Sequence, residues 1–238
     1  MLSEYGLLGP DLVLSHCLGY DDAQYKLLSD AGVYISSTPE TESQMAMGWP
    51  KALDPGVKGS LGIDCHSCNT SSILSQARTL LLMARQQTNQ PLIQTGKYPL
   101  NLRGTTAQAF NLATIEGARA VGMAETIGSI AEGKFADLVV FDAANSPGMI
   151  CAMDPLIAVL RHSDIRDIDT VIINGVVRKR DGKLLPVGGD MPWGEFAKAL
   201  LASQSEIQAR IAKVDEKKAR ETIMRAWYID GEKFEKVN

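Results

Sequence analysis

Two apolar runs in this sequence each end in a side chain that can transfer protons. Residues 59–63 lead into Asp64 and a polar loop, and residues 12–15 lead into His16. If both runs are buried strands of a parallel sheet, their carboxyl ends meet at one edge, where parallel barrels hold their catalytic residues. A carboxylate and an imidazole at that edge can bind a metal ion or act as general base and acid. We therefore predict that His16 and Asp64 form a catalytic pair.

The elements that would position this pair follow from the hydrophobic pattern. Apolar residues at helical spacing predict a helix over 20–31, a β-branched strand over 33–36 and a further helix over 71–87. Alternation of strand and helix is typical of parallel α/β architecture. The segment 38–58 is rich in proline around an apolar centre, so it is expected to be a loop or lid at the mouth of the site rather than a regular element.

The second half of the chain changes its pattern. An alanine-rich helix is predicted over 105–120, and strands are predicted over 137–142 and 169–179, the latter folded back on itself at Asn174-Gly175. The segment 193–228 has apolar residues at helical spacing opposite a densely charged face, which predicts one or two amphipathic helices.

Five segments resemble the metal-dependent amidohydrolase superfamily, in the branch of cytosine deaminase, S-adenosylhomocysteine deaminase and the triazine chlorohydrolases. Residues 6–16 resemble the sixth barrel strand with its preceding helix end, 35–45 the mouth of the seventh strand and 61–67 the eighth strand. Residues 113–120 and 128–141 are similar to the helix and strand that enter the small β-sandwich of that family. The resemblance implies a hydrolase of non-peptide carbon–nitrogen bonds in a small heterocyclic substrate.

The same resemblance implies roles for single residues. His16 falls where the family has an imidazole that polarises the substrate or binds metal, and Asp64 falls on a metal ligand that also shuttles protons. The implied cofactor is a divalent metal ion, zinc or iron, held by Asp64 and His16. This chain has no His-x-His pair and only three histidines, so the other metal ligands of the family have no counterpart in it.

Four further residues are candidates for binding the substrate. Glu40 and Glu42 fall on a loop that lies beside the substrate in related enzymes, and Trp49 offers an apolar wall for a flat heterocycle. His66 follows Asp64 closely enough to reach the same substrate, although a surface histidine is the alternative.

The fold class implied by the resemblance is α/β, corresponding to the C-terminal half of an amidohydrolase. We expect a partial (β/α) barrel of about three parallel strands with outer helices over 1–124. A small β-sandwich-like element is expected over 125–187, and C-terminal amphipathic helices over 188–238. Met1 would lie inside the helix that precedes the sixth strand. Because so few parallel strands leave open edges, we expect a homo-oligomer.

Two other functions remain open. Asp64 and His16 could form a metal-free acid/base catalyst, an isomerase or lyase, on the same scaffold. The chain could also be a non-catalytic remnant that binds a small molecule or a related subunit. In that case Asp64 merely holds its loop and His16 is an ordinary core histidine.

Composition argues against two classes of partner and is compatible with the small-molecule substrate that the resemblance implies. The 238 residues are 45% hydrophobic and carry a net charge of −4, so nucleic acid and anionic membranes are not expected partners. No apolar run approaches the roughly 20 residues that span a bilayer, and the N-terminus lacks the layout of a signal peptide, so a cytoplasmic location is expected.

The four cysteines do not form the framework of a secreted disulfide-rich protein and are expected to be reduced. Cys65 and Cys68 have the Cys-x-x-Cys spacing of redox pairs and of half a zinc site. Since the sequence has no second Cys-x-x-Cys pair, we favour the interpretation that Cys65 and Cys68 are ordinary thiols.

Overall fold

A small parallel sheet carries both members of the predicted catalytic pair. In the computed structural model its strands are β1 (Val13–Ser15), β2 (Tyr34–Ser37) and β3 (Lys58–Leu61), with β2 in the centre. Both pairings are parallel, so the carboxyl ends of all three strands lie at one edge of the sheet. The central strand is almost wholly buried, as its run of apolar and small residues requires.

Helices connect and cover these strands. Helix α1 (Asp22–Asp30) begins with a capping box between Asp21 and Gln24 and lies within the predicted range. Helix α3 (Ile73–Gln94) has Ser72 as its N-cap and buries the repeating positions 76, 77, 80, 81 and 84. It continues beyond the predicted end at residue 87 and passes through Pro91.

Two predictions for this part of the chain are wrong. The segment 38–58 was expected to lack regular structure, but it contains helix α2 (Pro39–Gln44), in which the proline occupies the first position, where its missing N–H costs nothing. The helix expected over 105–120 is two helices, α4 (Thr106–Leu112) and α5 (Ile115–Ala120). The break lies at Thr114, whose ψ of −99° is not helical.

The core lies between the parallel sheet and these helices. One cluster joins the first two strands to α1 through Cys17, Leu28, Val33 and Ile35. A second packs α3 against α4 and against the helical turn 158–162, which follows α6 (Pro155–Ile157). Its buried members are Ala77, Leu81, Ala109 and Leu160.

An antiparallel sheet follows. Its strands are β4 (Leu138–Phe141), β5 (Ile168–Ile173), β6 (Val176–Arg180) and β7 (Lys183–Leu184), in chain order across the sheet. The turn at Asn174-Gly175 lies where the sequence predicted it, with positive φ at both residues. Within the described residues these strands form a single layer, so the expected sandwich-like arrangement is not present there.

The chain divides into two compact units, residues 1–184 and 185–238. The second unit contains helices α7 (Trp193–Ile211) and α8 (Glu216–Ala226), as the amphipathic pattern predicted. The structure describes residues 2–186 and 191–235, so Met1 and the predicted boundary at 187–188 lie outside the described residues. Among the described helices, none has both the length and the apolar character needed to cross a bilayer.

Candidate functional site

The structure brings His16 and Asp64 together. His16 follows β1 and Asp64 follows β3, and the Nε2 atom of His16 lies 3.8 Å from Oδ2 of Asp64. Both side chains are partly exposed, by 25% and 31%. A separation of 3.8 Å is too long for a hydrogen bond, so the two groups do not occupy each other and a third group can contact both.

Both residues have an unusual backbone conformation. The φ angle is 62° at His16 and 56° at Asp64, in the left-handed region that few side chains with a Cβ adopt and that Asp, Asn and His tolerate best. Hydrogen bonds hold the chain around them, from His16 N to Ser36 O at 2.9 Å and from Gly62 N to Ser37 O at 3.0 Å. Strained residues of this kind cluster at functional sites, which supports a functional role for this edge of the sheet.

The other side of the His16 ring faces the end of β2. Its Nδ1 atom lies 2.9 Å from Thr38 Oγ1 and 3.5 Å from Glu42 Oε1. Glu42 Oε1 also accepts a hydrogen bond of 3.0 Å from Thr38 N. Each ring nitrogen of His16 therefore faces an oxygen acceptor, an arrangement that fixes the orientation of the ring.

Glu42 is placed differently from the sequence expectation. The residue is fully buried, so its carboxylate lies behind His16 instead of on an open surface where a substrate could reach it. Its Oε2 atom has no hydrogen-bond partner among the described residues. Burial raises the pKa of Glu42, an effect that the Thr38 N–H and His16 partly oppose.

Sequence reasoning missed this role, yet a signal for it exists. A threonine, then proline at the first helical position, then glutamates is typical of a helix start at which an acidic side chain turns back to the N-cap N–H. Glu42 makes that bond to Thr38 one residue later than in the usual capping box.

Glu40 secures the loop that follows Asp64. Its carboxylate accepts hydrogen bonds from Thr70 N at 3.0 Å and from Ser75 Oγ at 2.7 Å. Its own N–H donates to Gln76 Oε1 at 3.1 Å. These contacts join α2 to the loop and to the start of α3, which gives Glu40 a structural role whether or not it contacts a substrate.

The other two predicted substrate contacts, His66 and Trp49, lie close in sequence to the strands of this site. His66 is exposed in the turn that follows Asp64, and Trp49 is half-buried in the segment between α2 and β3. Neither makes a described hydrogen bond with His16 or Asp64, so their part in binding stays a prediction.

The turn 65–68 carries two thiols. Cys65 Sγ lies 2.6 Å from Ser67 Oγ, and this hydrogen bond lowers the pKa of the Cys65 thiol. The pKa of Cys68 is raised, first by loss of hydration and then by the neighbouring Cys65. Both are free cysteines.

The described residues do not fit a catalytic metal ion on their own. Catalytic zinc normally has three protein ligands. Here His16 and Asp64 offer two atoms, the Glu42 carboxylate lies on the far side of the imidazole, and no group of three or more His, Cys, Asp or Glu in the described residues could hold an ion.

Comparison with known proteins gives consistent matches. Residues 1–178 match the amidohydrolase family. The chain is 33% identical over 196 residues to a 5-methylthioadenosine/S-adenosylhomocysteine deaminase of Syntrophobacter fumaroxidans, a match covering 79% of this chain and 42% of that protein. It is 30% identical over 215 residues to an S-triazine hydrolase of Gordonia rubripertincta, covering 87% and 41%.

A solved structure shares the fold. It is an adenosine deaminase from Xanthomonas campestris with bound zinc, with a TM-score of 0.74 and 24% identity over 90% of this chain and 45% of that one. The chain thus spans about two fifths of the length of the curated relatives it matches.

Proposed function

The chain belongs to the amidohydrolase family, and from this premise we propose that it acts in the hydrolysis of non-peptide carbon–nitrogen bonds of a small nitrogen heterocycle. The observation that carries the proposal is the pairing of His16 and Asp64 across 3.8 Å, each on a strained residue at the end of a parallel strand. The relatives named above are deaminases and a triazine hydrolase, which supports a heterocyclic substrate.

The chemistry assigns one role to each residue. Water adds to the ring carbon, and the Asp64 carboxylate accepts one proton from that water and passes it to the exocyclic nitrogen. The carbon–nitrogen bond then breaks, ammonia leaves, and the second water proton ends on a ring nitrogen as the carbonyl forms. His16 polarises the carbon–nitrogen centre by donating from Nε2, while Thr38 and Glu42 hold Nδ1 on the opposite side of the ring. Such positioned proton transfer contributes roughly 10²–10⁴-fold to a rate.

The proposal extends to assembly. The three strands fit part of an amidohydrolase barrel, corresponding to its sixth, seventh and eighth strands. A zinc or iron ion at His16 and Asp64 would need further ligands from outside the described residues, which a second chain could supply. A homo-oligomer in the cytoplasm therefore remains part of the proposal.

The test is the release of ammonia from purine nucleosides and amino-triazines, measured at increasing protein concentration with zinc or iron supplied. We expect Asp64→Asn to lower kcat/KM at least about 100-fold. Asp181→Asn is the matched control, because Asp181 also has positive φ, 49°, but lies in the turn between β6 and β7. Asn tolerates that conformation as Asp does, so neither change is expected to disturb the fold.

Two outcomes would contradict the proposal. One is a lack of ammonia release from every compound at all concentrations, and the other is full activity of the Asp64→Asn protein.

A metal-free acid/base catalyst is the second candidate, because the described residues offer a base and an acid without a third metal ligand. It predicts turnover of an isomerisation or elimination substrate that persists in a chelator and is lost in both Asp64→Asn and His16→Gln proteins. Turnover that disappears with chelator and returns with zinc would favour the hydrolase instead.

A further inference from the structure

A single turn next to Asp64 holds two cysteines at its ends. The N–H groups of Cys68 and Asn69 both donate to the carbonyl of Cys65, at 3.2 and 3.1 Å. A turn closed in this way keeps the Cα atoms of its first and fourth residues within about 7 Å. Disulfides join Cα atoms about 4.4–6.8 Å apart, so the backbone already has the spacing that a bond between Cys65 and Cys68 needs.

Side-chain contacts also fold the turn back on itself. The Cys68 thiol donates to the Cys65 carbonyl oxygen, with its Sγ 3.6 Å from that oxygen. Both residues are exposed, so a small reagent in solution can reach them. The Ser67 hydroxyl lies 2.6 Å from Cys65 Sγ, where it can donate to a thiolate.

The other cysteines do not share these properties. Cys17 is buried in the first core cluster, and Cys151 is exposed but far along the chain from the turn. Among the four cysteines, Cys65 and Cys68 therefore combine short spacing, a contact between the Cys68 thiol and the Cys65 carbonyl, and access.

We propose that Cys65 and Cys68 form a redox-active dithiol that reacts with small-molecule disulfides of the glutathione type. The Cys65 thiolate attacks one sulfur of the disulfide, which forms a mixed disulfide and releases one thiolate. The Cys68 thiolate then attacks Cys65 Sγ, which closes the Cys65–Cys68 bond and releases the second. Two electrons pass from the cysteines to the small disulfide, and the two thiol protons end on the released thiols.

The anchoring of the turn makes it suited to closure. At its far end, Asn69 Nδ2 donates to Ile63 O at 2.9 Å and to Thr41 Oγ1 at 2.5 Å, and its Oδ1 accepts from Gln44 at 2.9 Å. Both cysteines thus lie on a segment whose ends are held, and a disulfide would add a covalent restraint directly beside Asp64. This chemistry does not depend on the proposed hydrolase function.

The experiment uses the full chain equilibrated with mixtures of reduced and oxidised glutathione, trapped with N-ethylmaleimide and weighed by mass spectrometry. Oxidation is expected to remove the alkylation sites at Cys65 and Cys68 without glutathione retained on either. Trypsin cuts after Lys58 and Arg78 and releases both cysteines in one peptide, which should be 2 Da lighter than its reduced form when the disulfide closes.

Two variants make the assignment specific. Cys68→Ser should trap a stable glutathione adduct on Cys65, since the resolving thiol is absent, whereas Cys151→Ser should behave as the unmodified chain does. Phenylarsine oxide, which bridges neighbouring thiols, provides an independent probe. It should block alkylation of Cys65 and Cys68 in the reduced chain and leave Cys68 alkylatable in Cys65→Ser.

The proposal fails if the unmodified chain keeps glutathione on Cys65 as the Cys68→Ser chain does. It also fails if both turn cysteines remain alkylatable in fully oxidised glutathione.

Discussion

At the scale of single residues, the sequence predicted that His16 and Asp64 lie together but did not predict that Glu42 lies behind His16. His16 and Asp64 could be found because each ends an apolar run, and strand ends of a parallel sheet lie at one edge. Glu42 was expected to face a substrate, yet it is buried behind His16. A carboxylate near proline and glutamate resembles a solvated loop in sequence, and only the three-dimensional packing of α2 shows that it is enclosed.

Glu42 provides a prediction about pH. Because burial raises the pKa of Glu42, the folded chain binds the Glu42 proton more tightly than the unfolded chain does. Folding stability is therefore lost as the pH rises from the ordinary pKa of glutamate to the raised pKa of Glu42 in the folded chain. Glu42→Gln cannot ionise. The free energy of unfolding of Glu42→Gln, measured in urea, should therefore fall less between pH 4 and pH 7 than that of the unmodified chain.

The control is Glu132→Gln, which removes the same charge from an exposed position. It should show no such pH-dependent difference from the unmodified chain. If Glu42→Gln and Glu132→Gln differ from the unmodified chain by the same amount at every pH, Glu42 is not the buried acid that the structure indicates.

At the scale of elements, the periodic patterns predicted which segments are helices or strands better than they predicted where each one begins and ends. Strands β2 and β3 and helices α1, α7 and α8 lie where apolar spacing placed them. Helix α3 extends through a polar stretch and Pro91, where no apolar pattern exists to predict it. Helix α2 was missed because proline was interpreted as a breaker, although proline also starts helices.

A substitution at Gly59 tests the packing of β3, the strand that positions Asp64. A Cβ atom at Gly59 would overlap the Ala52 carbonyl oxygen and lie 2.8 Å from the Ala52 Cα, both backbone atoms. Gly59→Ala must therefore displace β3 from the preceding segment. We expect a loss of about 1–3 kcal/mol or more in the free energy of unfolding by urea, as overpacked sites show.

Gly117→Ala is the comparison. Its Cβ would meet the Leu112 carbonyl oxygen at an ordinary 3.5 Å within helix α5. Alanine favours a helix over glycine, so this change should stabilise the chain by about 0.5–1 kcal/mol. Equal effects of the two substitutions would mean that the close approach of β3 to Ala52 is absent in solution.

At the scale of the whole molecule, the parallel sheet explains both what the site has and what it lacks. Three parallel strands bring an imidazole and a carboxylate together, as their order and register require. Among the described strands β1 and β3 each pair on one side, which leaves backbone groups that favour further strand pairing. The sequence could suggest this incompleteness from the absent His-x-His pair, but assembly depends on surfaces that no local pattern encodes.

The edge strand β1 gives the prediction for assembly. Val13 lies in β1 and is 36% exposed, and a lysine at an edge strand opposes pairing with another chain because its charge would have to be desolvated. If association uses this edge, native mass spectrometry across a range of concentrations should show oligomers of the unmodified chain and a marked shift towards monomer in Val13→Lys. Val121→Lys adds the same charge at the exposed end of α5 and should leave the oligomers unchanged.

Two results would exclude β1 as the interface. One is a chain that stays monomeric at every concentration, and the other is a Val13→Lys protein that assembles as the unmodified chain does. In either case the missing metal ligands would have to come from a source other than a chain paired at β1.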